Sequence, residues 1–158
     1  MIDSIFVIFA KYLFIVPVIA LGWYFFVQPK NVWLKNGIFA IISLAFTYGI
    51  GKIAGMLYFD PRPFVVGHFT PLIAHAADNG FPSDHALLVA GIAMVGTMWN
   101  KKLGGALWIL ALLVMAGRVY VGVHHPIDVI GSAIIAIIAT DAVYVAMKSK
   151  AVPPASHQ

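Results

Sequence analysis

Arg118, His124 and Asp128 lie close together in RVYVGVHHPID, a stretch that is otherwise mostly apolar. Two further polar groups interrupt the greasy sequence, 60-DPRPF-64 and 80-GFPSDHA-86. The residue types suit phosphoryl chemistry. Arginine's planar fork matches phosphate oxygens, so Arg62 and Arg118 form a candidate clamp, with Lys52 as a third cation. Ser83 follows Pro82 and has the type and position of a helix N-cap, whose free N–H groups would add an anion site. A neutral imidazole can attack phosphorus. Asp128 stands four residues after His124, on the same face if a helix begins there, and can fix the imidazole tautomer. His85 can protonate a leaving group and then activate water. Nucleophile, orienting acid, proton donor and clamp are all present, and this chemistry calls for no metal and no cofactor.

The elements that position these residues are membrane spans. The chain of 158 residues is 61% hydrophobic and 10% charged, where a soluble domain carries about 25% charged residues. A water-facing surface cannot be covered at that level, so an integral membrane protein is expected. Cysteine is absent, which excludes disulfides and thiol chemistry. A spanning helix needs about 20 apolar residues. Stretches 5–27, 32–59, 83–99, 103–121 and 127–147 supply five candidates. Together, 1–147 form a single domain of about five transmembrane helices, followed by a short cytoplasmic tail at 148–158, where Pro153 and Pro154 block helix.

Five spans fix which ends share a side. Lys30 and Lys35, Lys101 and Lys102, and Lys148 and Lys150 all fall on one face, which the positive-inside rule makes cytoplasmic. The three polar clusters then meet on the opposite, outer face. The basic balance reflects this placement, and no nucleic-acid partner is expected. Membrane lipids surround the chain.

The clusters resemble the type 2 phosphatidic acid phosphatase (PAP2) superfamily. Its pattern runs Lys-x6-Arg-Pro, then Pro-Ser-Gly-His, then Ser-Arg-x5-His-x3-Asp. Here stand Arg62-Pro63, Pro82-Ser83-Asp84-His85, and Arg118, His124 and Asp128 at the family spacing. The resemblance implies an all-α membrane bundle with metal-independent phosphate-ester or anhydride hydrolysis, His124 as nucleophile and His85 as general acid. Three positions depart from the pattern. Gly117 replaces the Ser before Arg118, Asp84 replaces Gly, and Lys52 lies ten residues before Arg62, where the pattern's lysine position is held by Gly55. Three helical residues shift a Cα by about 4.5 Å, a gap a lysine side chain can bridge. The combination YFDPRPF…HAADNGFPSDHA is similar to the bacitracin-resistance branch, undecaprenyl pyrophosphate phosphatases of the bacterial cytoplasmic membrane. That implies a polyisoprenyl diphosphate substrate hydrolysed at the outer face.

Alternatives stand beside this reading: a phosphatase for phosphatidic acid or phosphatidylglycerol phosphate, or a proton-coupled transporter using intramembrane His, Asp and Lys as a relay. His125 reads as structural or substrate-lining. His68, His75 and Asp78 read as solvated loop residues, with diphosphate or cation binding as the other option. Asp84 reads as a first-turn acid at a helix N-terminus, and Asp141 as a locally paired acid near the cytoplasmic end.

Overall fold

In a computed structural model, which describes residues 1–149, the chain forms seven helices. They are α1 (Ile2–Lys11), α2 (Ile15–Val27), α3 (Lys30–Leu57), α4 (Pro63–Val66), α5 (Asp84–Trp99), α6 (Lys101–Tyr120) and α7 (Pro126–Ser149). The extended pairing among the described residues is an isolated antiparallel bridge between Pro61 and Asn79. The expected tail lies, beyond Ser149, outside the described residues.

Helices α3, α6 and α7 are each long and apolar enough to cross a membrane. The first expected span is not one helix: α1 and α2 meet at a break with a 47° bend. Pro17 explains the break. It has no N–H to give the carbonyl of Leu13, and its ring would crowd that carbonyl in a continuous helix. The chain therefore restarts at Ile15, which leaves Pro17 in the first turn of α2. At the other end of the break, α1 packs across the C-terminal end of α6. Phe6 stacks on Tyr120 with centroids 3.9 Å apart, and the Tyr120 hydroxyl donates to Asp3 at 2.9 Å.

Helix α5 is too short to count by length, yet it is the centre of the bundle. It packs against α2, α3, α6 and α7, and residues 89–96 are all buried. A helix apolar all round belongs inside. Small residues allow the close approach: a Cβ added at Gly104 would strike the backbone of Thr97. Asn100 alone separates α5 from α6. Its Oδ1 accepts from the N–H groups of Lys102 (2.9 Å) and Leu103 (3.1 Å), an N-cap that starts the return helix at once.

Antiparallel packing sorts the helix ends. The C-terminal ends of α3 and α6 meet the N-terminal ends of α5 and α7 at one end of the bundle. Lys35, Trp99 and Lys148 meet at the other end, around a cavity of about 310 Å³. There Phe25 packs against both Trp33 and Trp99, with centroids 5.6 and 6.0 Å apart, as expected of an interfacial aromatic belt.

Candidate active site

At the first of these ends lies a cavity of about 450 Å³. Lys52 from α3, Arg62 from the 58–82 loop, His85 from α5, Arg118 from α6 and His124 from the α6–α7 turn all line it. Six of the seven expected site residues are thus placed at the cavity or directly behind it, Asp128 supporting His124 from the first turn of α7.

His124 is 3% exposed and held on both ring nitrogens. Arg62 Nη1 stands 3.3 Å from His124 Nε2, and Arg118 Nη2 stands 3.4 Å from the same atom. Guanidinium groups only donate, so Nε2 must be the unprotonated nitrogen with its lone pair facing the cavity. Nδ1 then carries the proton and donates it to Asp128 Oδ2 at 3.2 Å. Burial pulls the His124 pKa below its ordinary value of 6.5; the Asp128 bond works against that, and the charges of Arg118 and Arg62 add to it. The ring is thus neutral in the tautomer that exposes Nε2.

Both arginines are nearly inaccessible, at 5% and 3% exposure. Arg62 is locked by three protein acceptors: its Nε donates to Asp78 Oδ1 at 2.7 Å, Nη1 to the Val123 carbonyl at 2.8 Å, and Nη2 to the Asn79 carbonyl at 3.2 Å. Arg118 is less engaged. Nη1 reaches the Ala10 carbonyl at 3.4 Å, and its buried Nε has no protein partner. Gly117 has a packing reason. A Cβ there would lie 2.8 Å from the Ala10 nitrogen, so the serine of the family pattern would displace α1.

Two expectations change on contact with the structure, and the shifted lysine gains a packing reason. Ser83 occupies the N-cap position of α5 but makes no side-chain cap; it is fully buried, its Oγ has no partner, and the cavity is lined by Pro82, Asp84 and His85 instead. The extended backbone of Ser83 serves elsewhere, its carbonyl accepting from Ser132 Oγ at 3.2 Å. Asp84 does more than sit at a helix end: it accepts from Lys52 Nζ at 3.2 Å. Gly55 leaves the pattern's lysine little room: an added Cβ would stand 3.0 Å from the Phe81 carbonyl and 3.2 Å from Pro82 Cδ, so the 79–82 segment would have to give by a few tenths of an ångström. Lys52, one turn earlier, reaches the cavity from open space.

The loop residues read as solvated are partly structural. Asp78 holds Arg62; burial works to raise its pKa, but the guanidinium keeps it below the usual carboxylate value. His75 lines the cavity, its ring 6.1 Å from that of His124, and burial followed by the charge of Arg62 lowers its pKa. Asn79 is the hub that sequence reasoning missed. Its Nδ2 donates to the Gly55 and Tyr58 carbonyls, and its Oδ1 accepts from the N–H groups of Asp60 and Phe81. The Asn-Gly pair signals a turn, but nothing local names partners some twenty residues away. His68 and Asp141 are exposed and do not line the cavity.

His125 forms a second pair behind the first. Its Nδ1 lies 2.8 Å from Asp60 Oδ2, and its backbone N–H donates to Asp128 Oδ2 at 2.9 Å. Asp60, His125 and Asp128 present ligand atoms within 4.8 Å of one another, so this trio is where a divalent cation could be held.

Residues 36–151 match the model of the PAP2 superfamily. Undecaprenyl-diphosphatase BcrC of Bacillus subtilis is 38% identical over 139 residues, which cover 86% of this chain and 70% of that protein. The chain spans about half the length of other curated relatives it matches. Two solved structures share the fold. Aquifex aeolicus LpxE superposes with a TM-score of 0.73 at 23% identity, covering 91% of this chain and 86% of that one. A transmembrane PAP2-type phosphatidylglycerolphosphate phosphatase from Bacillus subtilis gives 0.67 at 20% identity, with coverage of 94% and 76%.

Proposed function

From the premise that this chain belongs to the PAP2 superfamily, we propose that it hydrolyses undecaprenyl diphosphate to the monophosphate and inorganic phosphate. One observation carries the chemistry. Two buried guanidiniums converge on the unprotonated His124 Nε2, which is the arrangement for drawing a phosphoryl group onto that nitrogen. The name of the Bacillus subtilis relative supports the substrate.

In this reading the terminal phosphate enters between Arg62 and Arg118, and the uncommitted Arg118 Nε supplies a further donor. Nε2 attacks the terminal phosphorus and forms a P–N bond as the P–O bond to the inner phosphate breaks. His85 gives its proton to the leaving oxygen. The imidazole, now cationic, is stabilised through Nδ1–H by Asp128. His85 then takes a proton from water, which attacks the phosphohistidine and releases phosphate while Nε2 recovers its lone pair. Developing charge on the equatorial oxygens is met by fixed guanidiniums in a buried site, where such donors are most effective. Lys52, at the cavity rim, faces the inner phosphate, and Ser83 supports the α5 start from behind.

The lysine-bearing ends of α3, α6 and α7 lie at the far end of the bundle, which by the positive-inside rule supports a reading in which this cavity faces the outer side of the cytoplasmic membrane. A proton-coupled transporter would need titratable groups along a path; the cavity gathers them at one end. The test is phosphate release by purified protein from undecaprenyl diphosphate and from phosphatidic acid. Faster cleavage of the diphosphate, abolished by His124→Ala, is expected. Equal or faster cleavage of phosphatidic acid overturns the substrate, and activity retained in His124→Ala overturns the nucleophile.

A further inference from the structure

The end of the bundle opposite the catalytic cavity has a lined space of its own. Lys35 and Phe39 stand one turn apart on α3, and Tyr144 and Lys148 one turn apart on α7, so each pair shares a helix face. Together with Met98 and Trp99, the last residues of α5, they line the cavity of about 310 Å³ at this end. Phe39 is buried and packs edge-on against Tyr144, with centroids 6.1 Å apart. Asn36 and Met147 complete the lining.

The lining is amphipathic. Lys35 and Lys148 bring two positive charges, and no acid lines the cavity; Asp141, two turns before Lys148, lies outside it. Phe39, Met98 and Met147 give it an apolar wall. Trp99 is held beside the rings of Tyr24 and Phe25, with centroids 6.3 and 6.0 Å away. Its buried indole N–H nevertheless has no acceptor among the described residues, whereas that of Trp33 donates to the Gln28 carbonyl at 2.8 Å. A buried donor normally finds a partner, so protein atoms alone do not complete the packing at this end of α5. Two cations above an apolar wall fit an amphiphile with an anionic head. Helices α3 and α7 are long and apolar enough to cross a membrane, and basic pockets between such spans suit anionic lipid head groups. The chain's own tail does not complement the lysines, since residues 150–158 contain no Asp or Glu.

We propose that this cavity binds one anionic membrane phospholipid from the leaflet at its own end of the bundle. Lys35 and Lys148 hold the phosphate, Asn36 and the Tyr144 hydroxyl meet the ester linkages, and the start of an acyl chain lies against Phe39, Met98 and Met147. The site is separate from the catalytic cavity and stands whatever the substrate. Its occupant ties together α3, α5 and α7, whose opposite ends carry Lys52, His85 and Asp128.

Native mass spectrometry of the full chain in detergent tests this, with phosphatidylglycerol and phosphatidylcholine of the same acyl chains as probes. Both are diesters, which the proposed hydrolysis leaves intact. One phosphatidylglycerol should bind per chain in preference to phosphatidylcholine. Lys35→Gln/Lys148→Gln should weaken it about fivefold per lysine, about thirtyfold together. Both lysines are exposed, and an unchanged thermal midpoint of the lipid-free variant reports an intact fold. Lys101→Gln/Lys102→Gln removes equal charge from the same end but outside the cavity, and should change binding less than about twofold. Equal weakening by the two pairs means that diffuse surface charge attracts the lipid, and overturns the proposal. Binding unchanged in Lys35→Gln/Lys148→Gln places the lipid elsewhere, the catalytic cavity included, and overturns it too. So does a preference for inorganic phosphate over the lipid at these lysines, or a dimer of the chain that the same variant dissolves, which would make a second copy the occupant.

Discussion

Asp128→Asn and Asp128→Ala should differ sharply, because both hydrogen bonds to this carboxylate converge on one oxygen. Oδ2 accepts from His124 Nδ1 at 3.2 Å and from the His125 N–H at 2.9 Å, while Oδ1 is buried with no partner. An asparagine can put its carbonyl oxygen at the Oδ2 position and keep both bonds. Its NH2 then occupies the Oδ1 position, with the Asp60 carboxylate close by. The tautomer survives and only the negative charge is lost. A bond to a charged partner is worth about 1.5–3 kcal/mol and a neutral one about 1, so the imidazolium loses about 0.5–2 kcal/mol of support, a two- to thirtyfold fall in kcat. Alanine strands two buried donors at about 1–3 kcal/mol each. Part of that also destabilises the fold, and kcat should fall about thirtyfold or more. The assay is phosphate release under saturating substrate, with thermal midpoints measured alongside. KM should move little, since Arg62 and Arg118 remain. Asparagine as damaging as alanine would mean that the amide has turned and reversed the tautomer, which refutes the single-acceptor geometry. Full activity in both variants refutes the role of Asp128 altogether.

The remaining predictions concern the surroundings of that pair. In the proposed mechanism His124 must be neutral to attack, and its pKa is lowered from 6.5; protonation would remove the nucleophile, so the acid limb of kcat/KM should fall below pH 6.5, and a limb above it would contradict the assignment. Lys52 and Asp84 are both well exposed, and an exposed pair is worth at most about 1 kcal/mol, so Lys52→Ala should raise KM up to about fivefold. Adding Gly55→Lys to that variant should fail to restore it and should lower the thermal midpoint, because the new side chain meets the Phe81 carbonyl; recovery would show that the two lysine positions are interchangeable. His125→Ala should lower kcat about tenfold or less by freeing the turn that holds His124, with phosphate release persisting in EDTA; loss in EDTA restored by a divalent cation would shift attention to the Asp60–His125–Asp128 trio.

What the sequence revealed, and what it hid, follows the range of the interactions. His124 and Asp128 were legible because four residues is one helical turn, and that spacing alone makes them neighbours. The spans were legible from apolar runs, and parity then placed three polar clusters at one end of the bundle. The break before Ile15 had a local signal in Pro17 that a hydropathy run of sufficient length obscures. The bracing of the arginines had none. Arg62 is held by Asp78, Asn79 and Val123, and His125 by Asp60, across separations of 16 to 65 residues. Such partners meet only because α3, α5, α6 and α7 bring their ends together.

The same division explains two of the departures from the family pattern. A serine before Arg118 and a lysine at 55 would each need room that this chain has given to backbone: α1 presses on Gly117, and the 79–82 segment presses on Gly55. Close approach at both glycines draws α1 and the Asn79 loop inward, and those are the elements that hold Arg118 through Ala10 and Arg62 through Asn79. Restoring the pattern residue by residue should therefore weaken the clamp it was meant to complete. Gly117→Ser places its Cβ 2.8 Å from the Ala10 nitrogen, so it should raise KM as Arg118 loses its α1 contact. If Gly117→Ser instead lowered KM at unchanged stability, the added hydroxyl would be reaching phosphate, and the account of Gly117 as a packing residue would be wrong.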